Sequence, residues 1–176
     1  MLASLDQSVL IIIDMQSKLM PAIEDHAHVL SQCIRLAKIA QQLGIPIIGT
    51  EENPAGLGEN HPELKALCQK TVTKFHFDGC SDGLISHIPT DRKQLVLVGC
   101  EAHVCLMQTA LGLLEHGFTV SIVVDAIGSR QSLDKTIATM RLKESGATLK
   151  TVEMIAFEWL KTCKHPSFKD TLALIK

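Results

Sequence analysis

The sequence predicts an α/β fold in which a parallel β-sheet lies between two layers of helices. Short apolar segments of strand length alternate along the chain with segments whose apolar residues recur at helical spacing. The strand-like segments are apolar almost throughout, as expected for parallel strands that are buried on both faces. With 176 residues, 46% of them hydrophobic, the chain has the length of one domain, 1–176, with a core of its own.

These patterns predict six strands and four main helices. The predicted strands are 9–13, 45–49, 70–74, 94–99, 118–125 and 147–152. The predicted helices are 28–44, 104–117, 132–146 and a shorter one at 153–161. Residues 50–69 form the least regular stretch and are predicted to be a long loop with one short helix. Long loops in compact α/β domains are often functional.

Charge and composition argue against several classes of protein. The net charge is −2 with no cluster of basic residues, so no nucleic-acid partner is expected. The apolar runs are far shorter than the roughly 20 residues that cross a bilayer, so no membrane partner is expected. The N-terminus lacks the pattern of a secretory signal, which favours a cytoplasmic location. The six cysteines include no CxxC pair, which favours reduced thiols over disulfides or a structural zinc site.

Three reactive residues lie where predicted strands end. Asp14 follows the first strand, Lys74 closes the third, and Cys105 begins the helix after the fourth. Ligands of open parallel sheets bind at this carboxyl edge. A helix start and an ammonium both stabilise a thiolate, and a carboxylate accepts its proton. Spacing alone leaves the alternatives open, because a lone cysteine is more often a small buried apolar residue.

Four longer motifs carry a family resemblance. They are IIIDMQ (11–16), VTKFHFDG (72–79), LVGCEAHVCLMQTALGLLEHGFTV (97–120) and VVDAIGSR (123–130). Through them the chain resembles the isochorismatase-like hydrolases, which include nicotinamidases and N-carbamoylsarcosine amidohydrolases. TEENPAGLG (50–58) points to a subgroup of mostly uncharacterised isochorismatase-domain members. The resemblance implies a three-layer, doubly wound fold whose six-stranded parallel sheet has the order 3-2-1-4-5-6.

The resemblance also implies a cysteine-hydrolase mechanism. Asp14 is expected to take the proton of Cys105, and Lys74 to stabilise the thiolate that attacks the substrate. The oxyanion hole is expected to consist of the backbone N–H groups of Glu101 and Cys105. A cis peptide bond between Cys100 and Glu101 is expected just before the first of these donors.

Five further residues are candidates for the wall of a substrate pocket: Glu51, Asn53, Phe75, Phe77 and His103. The Asp-x-His metal motif of nicotinamidases is replaced by TEENPAGLG, so neither a metal nor another cofactor is expected. The family resemblance further implies a small-molecule substrate and a homo-oligomer.

The leading hypothesis is therefore a metal-independent cysteine hydrolase that cleaves a small amide-like C–N bond through a covalent intermediate on Cys105. One alternative is a catalytically idle, oligomeric binding scaffold. Thiol labelling that is fastest at Cys105 and slower in Asp14→Asn would favour the enzyme. A second alternative is a vinyl-ether hydrolase of the isochorismate type, which would keep its turnover in Cys105→Ala.

Overall fold

A computed structural model describes all 176 residues, Met1–Lys176. Its centre is a six-stranded, all-parallel sheet with the order β3-β2-β1-β4-β5-β6, which confirms the predicted topology. The strands are β1 (Ser8–Ile13), β2 (Ile47–Glu52), β3 (Lys70–Lys74), β4 (Gln94–Cys100), β5 (Thr119–Gly128) and β6 (Thr148–Lys150).

Seven α-helices surround the sheet, and three short 3₁₀ helices lie in the connecting segments. The α-helices are α1 (His26–Gln42), α2 (Pro54–Leu57), α3 (Pro62–Leu67), α4 (Cys105–Glu115), α5 (Ser132–Glu144), α6 (Val152–Leu160) and α7 (Phe168–Ile175). The irregular stretch after β2 thus holds two short helices where one was predicted, and the sequence patterns gave no sign of α7. No helix combines the length and the apolar character that a membrane crossing requires.

The central strand β1 explains why the apolar pattern is continuous. All six of its residues are buried, and successive side chains point to opposite faces of the sheet. Leu10 and Ile12 join the core under α1 and α6, whereas Ile11 and Ile13 join the core under α4. The helices therefore form two layers with the sheet between them, and neither face of β1 meets solvent.

Strand β2 lies further along the chain than predicted, because it begins at Ile47 and continues to Glu52. Its pairing with β1 reaches Thr50, and its pairing with β3 places Glu52 opposite Lys74. Thr50, Glu51 and Glu52, the polar residues that suggested a loop, are thus held in the sheet by pairing with β1 and β3. They lie at its carboxyl edge.

Gly99 is required where β4 runs beside β1. Its φ of +131° lies in a region that residues with a side chain rarely adopt. A Cβ atom at this position would lie 2.1 Å from the carbonyl oxygen of Ile13. The close contact brings the end of β4 against the end of β1, where Asp14 follows.

Candidate active site

A buried ion pair lies at the carboxyl edge of the sheet. The Lys74 ammonium Nζ is 2.8 Å from Oδ2 of Asp14, and both side chains are fully buried. Nζ also donates to Oε2 of Glu52 at 2.8 Å and to the carbonyl oxygen of His76 at 3.3 Å. The hydroxyl of Thr50 donates to Oδ1 of Asp14 at 2.7 Å. The two charges are thus fixed by groups from β2 and from the segment after β3.

The surrounding charges keep Lys74 protonated. Burial favours the neutral amine, but the Asp14 carboxylate and the hydrogen bonds from Nζ outweigh this effect. The pKa of Lys74 is therefore raised above its ordinary value. The ammonium is a permanent positive charge under physiological conditions.

Cys105 is the first residue of α4 and is only 4% exposed. Its Sγ, a carboxylate oxygen of Asp14 and one of Glu52 all lie within 4.8 Å of one another. Burial and, second, the charge of Asp14 raise the pKa of Cys105 to about 12, and Lys74 offsets this only in part. At neutral pH the Cys105 side chain is therefore a thiol, although its position at a helix start and near an ammonium had predicted a stabilised thiolate.

A cavity of about 270 Å³ opens onto Cys105. Its wall combines four apolar side chains with three charged ones. The lining residues are Leu19, Leu57, Phe77, Val104, Glu52, Glu101, Arg130 and Cys105. The Nε of Arg130 is 3.0 Å from Oε1 of Glu101, so these two charges on the wall neutralise each other.

Two of the expected pocket residues, Phe75 and Phe77, lie in the segment after β3, and only one of them reaches the cavity. Phe77 lines the cavity, whereas Phe75 is 69% exposed and lies outside it. His103 also lies outside the lining set. Its Nδ1 is 3.0 Å from Oγ of Ser129, so it supports the loop beside the cavity.

The other two expected pocket residues flank Glu52. Glu51 is buried on the opposite side of β2, because consecutive strand residues alternate in direction. Its Oε1 accepts a hydrogen bond from the backbone N–H of Asn60 and lies 3.3 Å from Nζ of Lys65. Asn53 is exposed where α2 begins. Neither residue lines the cavity.

The expected cis peptide bond is wrong for this structure, because the bond between Cys100 and Glu101 is trans, as are all others. The chain turns here through left-handed backbone at Glu101, whose φ is +53°, and through the positive φ of Gly99. The Glu101 carbonyl oxygen accepts from the N–H groups of Val104 and Leu106. The N–H groups of Glu101 and Cys105 donate to no acceptor within the chain.

The donor atoms of Asp14, Glu52 and Cys105 are close enough to bind a metal ion together. The Lys74 ammonium, however, already lies 2.8 Å from a carboxylate oxygen of each acid. It supplies between them the positive charge that a metal would bring. The absence of a metal cofactor stays a prediction.

The sequence patterns missed several residues of the site. Thr50 and Glu52 were assigned to a loop, because TEE (50–52) is polar throughout and lacks the apolar–polar alternation that indicates a strand. Arg130 entered only as the last residue of the motif VVDAIGSR, and Leu19 and Leu57 carry no chemical signal. Only the packing of separate loops brings them to one cavity.

The architecture and the sequence match a known class of protein. Residues 8–154 match the isochorismatase domain, and the chain belongs to the isochorismatase family, as its motifs predicted. Isochorismatase domain-containing protein 2 of Danio rerio is 39% identical over 170 residues, covering 96% of this chain and 86% of the relative.

Solved structures share the whole architecture. The MAR1 ribonuclease of Caenorhabditis elegans is 33% identical with a TM-score of 0.91, covering 99% of this chain and 92% of that one. YcaC of Escherichia coli, described as an octameric hydrolase of unknown specificity, has a TM-score of 0.88 at 23% identity. The matched region covers 99% of this chain and 87% of the YcaC chain. At this identity YcaC supports the fold alone.

Proposed function

We propose that this protein is a cysteine hydrolase that cleaves the C–N bond of a small amide-like substrate without a metal. The observation that carries the proposal is the placement of the Cys105 thiol beside the Asp14–Lys74 ion pair, at the base of a cavity. The isochorismatase family and its hydrolase-like fold support a hydrolytic reaction. The cysteine route and the substrate class are inferred from the geometry.

In the proposed reaction the Sγ–H proton of Cys105 passes to Asp14 as sulfur attacks the carbonyl carbon. The C=O electron pair moves onto oxygen. When the tetrahedral intermediate collapses, the C–N bond breaks and nitrogen takes its electron pair and the proton from Asp14. Ammonia or an amine leaves, and the acyl group stays on Cys105 as a thioester.

Water completes the cycle. Asp14 accepts a proton from a water molecule as the water oxygen attacks the thioester carbon. The C–S bond then breaks, and the sulfur of Cys105 regains its proton from Asp14. The Lys74 ammonium lies next to Asp14 throughout and stabilises negative charge on sulfur. The free N–H groups of Glu101 and Cys105 are the proposed donors to the developing oxyanion.

Ammonia release from a panel of small primary amides and carbamoyl compounds tests this proposal. Turnover is expected in the wild type and in Cys163→Ala, because Cys163 is exposed and distant in sequence from the site. It is expected to be lost in Cys105→Ala. Mass spectrometry of quenched reactions should show the acyl group on Cys105. Full turnover by Cys105→Ala would contradict the covalent mechanism.

The two alternatives give different outcomes. Vinyl-ether hydrolysis that survives Cys105→Ala would support the isochorismate-type reaction. Binding of panel compounds without turnover or acylation would support the scaffold. The name of the Caenorhabditis elegans relative adds RNA as a control substrate. No RNA cleavage is expected, because the cavity's Arg130 is paired with Glu101 and two acids flank Lys74.

We also propose that the protein forms a homo-oligomer through α5. Leu133, Ile137 and Met140 recur on one face of this helix and are 68%, 55% and 54% exposed. Asp134 and Arg141, seven residues apart, flank this face on one side. Antiparallel packing of two copies about a two-fold axis would place each Asp134 near the partner's Arg141.

Light scattering on the wild type and on Ile137→Asp tests this interface. The wild type is expected to be at least a dimer, and the buried charge of the variant is expected to dissociate it. A wild-type monomer, or an assembly unchanged by the substitution, would contradict the proposed interface.

A further inference from the structure

Glu52 presents an unused hydrogen-bond acceptor to the cavity. One of its carboxylate oxygens, Oε2, accepts from Lys74, whereas Oε1 makes no hydrogen bond or ion pair within the chain. The side chain is 13% exposed, and it is part of the cavity wall. A carboxylate oxygen in such a partly buried position is poorly hydrated and favours a ligand that donates to it.

The charges around the cavity narrow the choice of ligand. The negative charges of Asp14 and Glu52 surround the single positive charge of Lys74, which leaves one negative charge in excess. Arg130 does not compensate for it, because its Nε is engaged by Glu101. A carboxylate or phosphate group is therefore repelled at this end of the cavity, and a neutral group with N–H donors is attracted.

The distances place such a donor on the leaving group of the reaction. Carboxylate oxygens of Glu52 and Asp14 lie with Sγ of Cys105 inside a 4.8 Å cluster. A nitrogen bonded to the attacked carbon lies about 3 Å from that sulfur, and a hydrogen bond spans about 3 Å more. An amide NH₂ group is thus within reach of the Glu52 carboxylate while Sγ attacks its carbonyl carbon, and Oε1 is the oxygen of that carboxylate that has no partner in the chain.

We propose that Oε1 of Glu52 accepts a hydrogen bond from the NH₂ group of a neutral primary amide whose short apolar acyl group packs on Leu57, Phe77 and Val104. This inference rests on the proposed function and names its substrate class. With one N–H directed at Glu52, the nitrogen electron pair is free to take the proton from Asp14 as the C–N bond breaks. The cavity of about 270 Å³ restricts the acyl group to a small one.

Matched substrates separate this role from a general effect on the site. Butyramide has two N–H donors, its N,N-dimethyl derivative has none, and methyl butyrate has an ester oxygen in place of the nitrogen. The kcat/KM of each is measured for the wild type, Glu52→Gln and the control Glu59→Gln. Glu59 is an exposed carboxylate that contacts Lys65 outside the cavity.

The wild type is expected to prefer the primary amide over its dimethyl derivative by about tenfold or more. Glu52→Gln is expected to lower the amide-to-ester ratio of kcat/KM by about tenfold or more, because an ester has no hydrogen to donate. A change in the nucleophilicity of Cys105 caused by the substitution acts on both substrates and cancels in this ratio. Glu59→Gln is expected to keep the wild-type ratio.

Two results would overturn the inference while leaving the hydrolase intact. They are an unchanged amide-to-ester ratio in Glu52→Gln, and equal wild-type turnover of the primary and dimethyl amides. The second comparison needs no variant, so it holds even if Glu52→Gln fails to fold. A wild type that neither hydrolyses nor is acylated by any of the three substrates would instead refute the proposed function, and with it this inference.

Discussion

The reactivity of Cys105 toward iodoacetamide tests the electrostatics of the site most directly. Iodoacetamide reacts with the thiolate, and burial and the Asp14 charge raise the pKa of Cys105 to about 12. We therefore expect slow alkylation in the resting wild type. Asp14→Asn removes the charge that opposes the thiolate and keeps Lys74, which favours it. The variant is expected to react faster with iodoacetamide while losing hydrolytic turnover.

The size of the expected effect on alkylation follows from the raised pKa of Cys105. The thiol pKa is about 12 in place of the ordinary 9.0. At neutral pH the thiolate population is therefore lower by about 1,000-fold than for an unperturbed cysteine. Burial remains in Asp14→Asn, so only the part of the shift due to the Asp14 charge is relieved. A like charge at this distance shifts a pKa by about one unit, so alkylation is expected to accelerate by about tenfold. This sign is opposite to the slower labelling that sequence analysis associated with an active enzyme.

The assay compares two thiols in the same molecule. Peptide mass spectrometry follows alkylation of Cys105 and of the exposed Cys163 over a range of pH, in the wild type and in Asp14→Asn. Cys163 supplies the internal reference, because Asp14→Asn should leave its rate unchanged.

The opposite pattern would refute this reasoning. If Cys105 reacts faster than Cys163 at neutral pH, or if Asp14→Asn slows it, the resting site holds a thiolate beside a protonated Asp14. The proton would then have moved before the substrate arrives, and the buried thiol would not be the ground state.

Three further predictions concern stability. Lys74→Met leaves the carboxylates of Asp14 and Glu52 facing each other in a buried site. It is expected to lower the unfolding free energy, measured in urea, by about 3–5 kcal/mol. Protonation should relieve the repulsion, so an equal loss in mildly acidic buffer would contradict this cause. The pKa of Cys105 is raised in the folded state. The folding stability that this shift contributes is therefore fully present below the ordinary thiol value of 9.0 and is lost as pH rises toward about 12. Urea titrations above about pH 9 should show declining stability, with a shallower decline in Cys105→Ser. Gly99→Ala is expected to cost more than about 2 kcal/mol, because its Cβ meets the carbonyl of Ile13. Gly146→Ala, where φ is also positive at +102° but the added Cβ would meet open space, should cost clearly less, and equal losses would reject the steric cause.

The sequence by itself indicated the fold and three candidate functional positions. Continuous apolar runs predict buried parallel strands, because only a sheet covered on both faces hides every residue of a strand. Asp14 lies where such a run stops, Cys105 lies where the next helix starts, and Lys74 closes the short, mostly polar strand KTVTK (70–74). Parallel strands end at a common edge, so the end of each run was enough to place these residues near one another.

Tertiary structure decided the pKa values of those residues and the groups that surround them. Glu52 and Thr50 are polar, so local patterns assigned them to a loop, and only pairing with strands on both sides holds them in β2. The pKa of Cys105 likewise depends on its burial and on a carboxylate ninety-one residues earlier in the chain. A strand end is a local property of the sequence, whereas charge, burial and cavity shape arise from groups that are brought together only by folding.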